Sequence, residues 1–302
     1  MRLKNLKITG FRNLKPVQLE WDPAVTTYAF VGPNGHGKTN LLEAIYLLGI
    51  SKSFRTHENE DFIGFDETFC RLETYVENGH EVDFFELIVT KGPIKKTLKR
   101  QGIIKKAVEY IGHLKVVFFS PDDINLIQGA PANRRRYLDV LLSQLDPAYL
   151  EDSLRYAAVL KQRNALLKRL SIEKGGASPK QLHELDFWDQ ALAQLGSTLI
   201  AKRVDGIQAL NQGILERYRV LSERSEHFCL QYLPSVPANI KENDYYELLT
   251  QNRLRDLQTG FTEKGPHRDD LEFSCQGKNM ASFASRGNGV AQCLRLNLPK
   301  SI

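Results

Sequence analysis

The stretch Gly32-Pro-Asn-Gly-His-Gly-Lys-Thr39 constrains this chain more than any other. It fits G-x-x-x-x-G-K-[ST], and its flanks fit the same frame. The run Thr26-Thr-Tyr-Ala-Phe-Val31 before it reads as a strand. Residues 40–48 after it set Leu41, Leu42, Ile45 and Leu48 on one helical face. A strand, a glycine-bearing loop and a helix start make an anion site, because successive backbone N–H groups and the positive helix end point at phosphate oxygens. Gly32, Gly35 and Gly37 let the backbone turn and approach the phosphates without a Cβ in the way. Pro33, Asn34 and His36 complete the loop. Lys38 is placed to reach the β- and γ-phosphates and the Thr39 hydroxyl to hold Mg²⁺. The expected ligands are therefore a nucleoside triphosphate and Mg²⁺.

Composition narrows the class without naming a partner. The 302 residues are enough for one large domain or two lobes, and the formal net charge of +5 is only mildly basic. Such a charge permits a nucleic-acid partner without establishing one. Cys70, Cys229, Cys275 and Cys293 are scattered, with no C-x-x-C, as expected of free thiols in a reducing compartment. Met1-Arg-Leu-Lys-Asn-Leu-Lys lacks the apolar core of a signal peptide, and no apolar run is long enough to span a membrane. The expectation is a cytoplasmic protein with no membrane partner.

Along the chain the periodicity changes twice. Leu6, Ile8 and Phe11, then alternating Val17, Leu19 and Trp21, predict strands; Phe69 to Thr90 predicts a hairpin turning at Asn78-Gly79. Residues 91–106 carry seven basic side chains and no acidic one, broken by a turn at Gln101-Gly102. Lys115-Val-Val-Phe-Phe119 predicts a short buried strand. Past residue 122 the spacing becomes helical. Leu138, Leu141, Leu142 and Leu145 share a face, as do Tyr149, Tyr156, Leu160, Leu167 and Leu170. After a Gly/Ser/Pro break at 174–180, Leu185, Trp188, Leu192, Leu195 and Leu199 recur at three and four. Two such helices predict an antiparallel pair, either a coiled-coil-like arm or part of an ordinary bundle. Phe228, Leu230 and Tyr232 alternate again. The predicted organisation is an ATPase lobe over 1–122, a helical arm over 123–227, and a return to the lobe over 228–302.

Several blocks together resemble the RecF family of bacterial DNA replication and repair proteins, itself similar to the ATPase heads of SMC-like and ABC-type proteins. They are Ile8-Thr-Gly-Phe-Arg-Asn-Leu14, the phosphate loop with Leu41-Leu-Glu-Ala-Ile-Tyr46, Lys52-Ser-Phe-Arg-Thr56 and Phe118-Phe-Ser-Pro-Asp-Asp123. Further on come Gly129-Ala-Pro-Ala-Asn-Arg-Arg-Arg-Tyr-Leu-Asp139, Leu160-Lys-Gln-Arg-Asn-Ala-Leu-Leu167 and Gly260-Phe-Thr-Glu-Lys-Gly-Pro-His-Arg-Asp-Asp270. The resemblance implies an α/β fold: an ABC/SMC-like P-loop head with an inserted antiparallel helical arm. It also implies ATP as the nucleotide and an ATP-dependent homodimer in which each triphosphate is pressed between one phosphate loop and the partner's signature motif. DNA, gapped duplexes included, and recombination mediator proteins are the implied partners. Ser285, Arg286 and Gly287 resemble the start of that signature, but Asn288 stands where glutamine is expected. No apolar strand ending in the Walker B Asp follows within the 302 residues. The C-terminal core strands are therefore expected to be missing and hydrolysis defective; the catalytic residues remain unassigned.

Other features leave alternatives open. Val116 to Asp123 imitates a Walker B strand, but Ser120-Pro121 intervenes, and Asp122 and Asp123 fit a helix cap better. Lys95, Lys96, Lys99 and Arg100 are candidate DNA contacts or charges guarding an exposed sheet edge. Arg134, Arg135 and Arg136 are candidate DNA or partner contacts, or a solvated helix start. His267 and Arg268, by their place in a family block, are expected at the nucleotide or DNA face. The leading function is an ATP-dependent DNA-binding protein of replication and recombinational repair, with ATP binding as a dimerisation and clamp switch. The rivals are a P-loop small-molecule kinase, for which neither an acceptor pocket nor a base is recognisable, and a non-functional remnant.

Overall fold

The computed structural model describes residues 1–172, 178–222 and 228–282. The chain divides into two compact units, residues 1–118 with 143–147, and residues 119–142 with 148–302.

In the first unit, apolar alternation builds a wholly antiparallel sheet. Strands β1 (Arg2–Leu3) and β2 (Asn5–Thr9) both pair with β4 (Phe69–Asn78), and β3 (Val17–Glu20) lies outside β2. β5 (Glu81–Thr90), β6 (Lys95–Arg100) and β7 (Ile103–Ile104) continue from β4 to the other edge. One face is apolar: Leu6, Ile8, Cys70, Leu72, Phe85, Leu87 and Val89 are buried. Helix α1 (Lys38–Ile50) packs on β4 and β5, with Ala44, Leu47 and Leu48 fully enclosed. A short α2 (Ala107–Tyr110) follows β7. The predicted hairpin is present, with its register one residue later: Asn78 pairs with Glu81, so Gly79 and His80 form the turn. The turn at Gln101-Gly102 is where the sequence places it.

Three expectations for this unit are corrected. The run 26–31 is not a strand; it pairs with no other strand among the described residues and folds back on Trp21, whose ring stands edge-on to Tyr28 and Phe30 at 4.6 and 5.9 Å. Val31 is 93% exposed. Residues 115–119 join no ladder and are only partly buried. Val116 packs against Gly49 and Phe118 stacks on Phe54 at 3.9 Å, whereas Val117 and Phe119 face out. On α1 the buried face contains Glu43 and excludes Leu42, which is 42% exposed.

The second unit is helical around a small sheet. Ser120 and Asp123 cap a 3-10 turn over Pro121–Ile124 reciprocally, so the Walker B reading of this segment fails: its acids close a helix start, and Asp122 is exposed. Next come α3 (Asn125–Gln128), α4 (Pro131–Leu145, whose last residues fall in the first unit), α5 (Pro147–Ile172) and α6 (Pro179–Ser222). Strand β8 (Phe228–Leu233), α7 (Glu242–Thr259), β9 (Asp270–Cys275) and β10 (Lys278–Asn279) complete the unit, the strands in order β10-β9-β8. Ion pairs fix the direction of the long helices. Asp152 meets Lys202, Arg163 meets Asp189, and Arg169 meets Glu184. Partner numbers fall as α5 advances, so α5 and α6 are antiparallel, as predicted. Leu166, Leu167 and Leu170 of α5 cluster with Leu185 of α6, and Leu257 of α7 packs there too, which makes a bundle rather than an isolated two-helix seam. Segment 228–302, expected to return to the first lobe, has its described strands in this unit. Leu230 and Leu271 join the core of Leu192, Leu195 and Leu199, because α6 covers the apolar face of the β8–β9 pair.

A buried charge web ties these helices together. Arg163, fully buried, donates to Asp189 at 2.6 Å and to Asp256 and Thr262 at 2.7 Å. Arg253 of α7 donates to Asp189 and Asp186. Removing one member of a buried pair strands the other's charge, at a cost of about 3–5 kcal/mol. Arg163→Met is therefore expected to lower the stability of this unit by about that amount in urea unfolding. A change below about 1 kcal/mol, the value of an exposed pair, would contradict the account.

Candidate functional site

The loop over residues 32–39 lies at the start of α1, and its backbone explains two of its glycines. Gly35 has φ 81° and Gly37 φ 86°, in the left-handed region that favours glycine. A Cβ on Gly37 would also lie 2.3 Å from Leu14 Cδ2. Gly32 has open space around it and no such φ, so it is not a turning residue here. Residues 32–36 are exposed, and the first turn of α1 has no acidic side chain to occupy its positive end. The Lys38 ammonium folds across the loop and donates to the Gly32 and Pro33 carbonyls, both at 2.7 Å. Thr39 is exposed in the first helical turn. An open ring of backbone with a cation across it suits a phosphate chain, so the residues present fit the cofactor expected of them.

The polar groups seating this loop are not apparent from the motif itself. Glu43 is fully buried, and Arg12 grips it with Nε to Oε2 and Nη2 to Oε1, both 2.6 Å. Ser53 Oγ donates to the same carboxylate at 2.5 Å, and Arg55 Nη1 stands 3.6 Å from it. Asn13 Nδ2 donates to the Gly35 carbonyl at 2.9 Å, Asn40 Nδ2 to Asn13 Oδ1 at 2.6 Å, and Arg55 Nη1 to Asn40 Oδ1 at 2.7 Å. The one signal of them in the sequence is an acid, Glu43, inside an apolar helical run.

The basic hairpin is less open than its composition implies. Lys99 pairs with buried Glu86 at 2.8 Å, and Arg71 pairs with the same carboxylate. Burial pushes the Glu86 carboxyl up, but Lys99 and Arg71 outweigh it and hold it below the ordinary value. Arg100 donates to Asp83 at 2.8 Å, and Lys96 to the Ser51 carbonyl at 2.7 Å. Lys95 and Lys91 remain exposed.

In the second unit the arginine run points inward at first. Arg134, 9% exposed, donates to both oxygens of Asp270 at 2.7 and 2.9 Å and to the Gly129 carbonyl at 2.7 Å. Arg135 donates to the Asp269 carbonyl at 2.7 Å, and Arg136 is exposed. The block 265–270 is a structural hub. Arg203 reaches the Pro266 carbonyl, Asp269 and Asp139, while Ser235 and Gly265 bond each other through Oγ, N and O. His267 Nε2 lies 2.9 Å from the Thr262 carbonyl, so Nε2 carries the proton and Nδ1 accepts from Tyr156 Oη at 2.8 Å. Arg268 is exposed although its Nε donates to Thr262 O. Ser285, Arg286 and Gly287 lie outside the described residues.

Residues 2–111 match the family model of the RecF/RecN/SMC N-terminal domain. The chain is 38% identical over 309 residues to a DNA replication and repair protein RecF of Lactobacillus delbrueckii subsp. bulgaricus, covering 99% of this chain and 78% of the relative. It is 33% identical over 304 residues to the RecF of Geobacillus kaustophilus, covering 99% and 80%. Among solved structures, the recombination mediator protein RecF-ATP in the RecFOR pathway superposes with TM-score 0.84 at 30% identity, over 97% of this chain and 79% of that one. These likenesses carry the expected fold class, a P-loop head of the ABC/SMC kind.

The hub has a pH consequence. Burial pushes the His267 imidazole from 6.5 down to about 4. An unfolded chain then binds that proton more readily than the folded one. The stability linked to His267 is complete above pH 6.5 and is lost as the pH falls toward 4. The stability gap between the native chain and His267→Gln is expected to shrink over that interval in parallel urea titrations. Parallel pH profiles would contradict a neutral, buried imidazole.

Proposed function

The chain belongs to the RecF family, and from that membership we propose that it is an ATP-binding protein of DNA replication and recombinational repair. On this reading ATP acts as a switch. The triphosphate enters the loop of residues 32–39, with Lys38 leaving its loop carbonyls for the β- and γ-phosphates and Thr39 holding Mg²⁺. Two loaded heads then close on each other and on DNA in the cytoplasm. The signature-like Ser285, Arg286 and Gly287 serve the partner's nucleotide. Other recombination mediators and gapped DNA are the partners. The observation that carries the reading is the exposed phosphate loop, with Gly35 and Gly37 in left-handed conformations and an uncompensated helix start. It is supported by near-complete coverage of this chain in relatives named RecF.

Lys38→Ala is expected to abolish binding of a fluorescent ATP analogue, because the cation opposite the β- and γ-phosphates is lost. Unchanged affinity in the variant would remove the phosphate-loop reading.

DNA binding is expected to be electrostatic and weakly sequence-dependent. Among the basic residues of 91–106, Lys91, Lys95 and Lys106 are exposed; Lys96, Lys99 and Arg100 have intramolecular partners. Replacing Lys91 and Lys95 by Gln is expected to reduce the slope of log K against log [salt] by about one for each phosphate no longer neutralised. An unchanged slope would move the DNA surface away from this hairpin, with exposed Arg136 and Arg268 next to be tested.

A further inference from the structure

We infer that Glu43 is a positioning residue for the phosphate loop, acting through a closed ring of side chains that ends on the Gly35 carbonyl. The inference rests on the nucleotide-binding reading above and deepens it.

Glu43 sits four residues after Thr39, one helical turn along α1, on the face turned into the protein. A buried carboxylate is costly unless it is paired and hydrogen-bonded, and packing alone would be served by an apolar side chain. Here both oxygens are taken, by Arg12 and Ser53, with Arg55 beside them. Arg12 itself has φ 48°, unusual for a residue with a side chain, and its N–H donates to the Phe62 carbonyl. The forked grip on Glu43 stabilises that backbone turn, and the turn aims the next residue, Asn13, at the loop.

The orientation of each amide in the ring follows from its ends. The Gly35 carbonyl can only accept, so Asn13 presents Nδ2 to it and Oδ1 to its other neighbour. That neighbour, Asn40, must then offer Nδ2, which leaves Oδ1 for the Arg55 guanidinium, a group that can only donate. Arg55 returns to Glu43, and Arg12 connects Glu43 back to Asn13 through the chain. Every member is satisfied in one sense only. Because a trans peptide points its C=O and N–H in opposite directions, holding the Gly35 carbonyl on Asn13 turns the His36 N–H away from Asn13. The ring therefore sets a loop donor before nucleotide arrives, which reduces the ordering cost of binding.

The test is a double-mutant cycle on affinity for a fluorescent ATP analogue, using the full chain. Asn13 is exposed, so Asn13→Ala is expected to leave the thermal midpoint unchanged and weaken binding about fivefold, the value of one hydrogen bond. Glu43→Gln is expected to weaken it by a similar factor, and the double variant by no more than the larger single effect. Effects that multiply, or an Asn13→Ala chain with native affinity, would overturn the proposal. If Glu43→Gln does not fold, Arg55→Ala, half-exposed, takes its place in the cycle, with the same two outcomes. Lys38→Ala separates the readings. Loss of binding there with no effect at Asn13 sinks the ring alone, whereas native binding at Lys38→Ala sinks the nucleotide site itself.

Discussion

A charge taken out of water has to be met by its opposite, and in both units that requirement decides where the functional segments lie. In the first unit the buried carboxylate is Glu43, and the groups that meet it, Arg12, Ser53 and Arg55, come from the two segments flanking the phosphate loop. In the second unit the buried cations include Arg163 and Arg203. They draw α5, α6, α7 and the block 262–270 into one web. Apolar burial supplies the bulk of the driving force, but it is non-directional. The charged pairs supply direction, since a forked guanidinium accepts few arrangements of its partner.

Local signals are legible wherever the period of apolar residues matches a single element. The hairpin of β4 and β5, the turn at Gln101-Gly102 and the antiparallel α5–α6 pair are all readable in spacing, as is the start of α1 at the phosphate loop. Apolar runs whose state depends on a distant partner mislead. Residues 26–31 and 115–119 have strand-like composition, but a strand needs a neighbour to receive its backbone groups, and composition cannot supply one. The buried face of α1 is rotated from the one its leucines suggest, since Leu42 is half-exposed and Glu43 is enclosed. The distant Arg12, with Ser53 and Arg55, makes a buried glutamate tolerable there.

The basic motifs show the opposite behaviour. Lys96, Lys99 and Arg100, and Arg134 and Arg135, look like a phosphate-binding surface in one dimension. In three, Lys99, Arg100 and Arg134 meet carboxylates, and Lys96 and Arg135 bond backbone carbonyls. His267, expected at a nucleotide or DNA face, is held neutral between Tyr156 and the Thr262 carbonyl inside the second unit. Block 265–270 is thus explained by packing and hydrogen bonding around Gly265, where a Cβ would fall 2.0 Å from the Tyr245 hydroxyl.

In the proposed function, nucleotide and DNA binding belong to one switch. Linkage makes this directly measurable, because if ATP strengthens DNA binding then DNA must strengthen ATP binding by the same factor. The decisive measurement is the Kd of a slowly hydrolysed ATP analogue, taken with and without a saturating gapped duplex at fixed ionic strength. Tighter nucleotide binding is expected with DNA present, by about five-fold or more, and no nucleotide binding by Lys38→Ala in either condition. Identical affinities with and without DNA would contradict it.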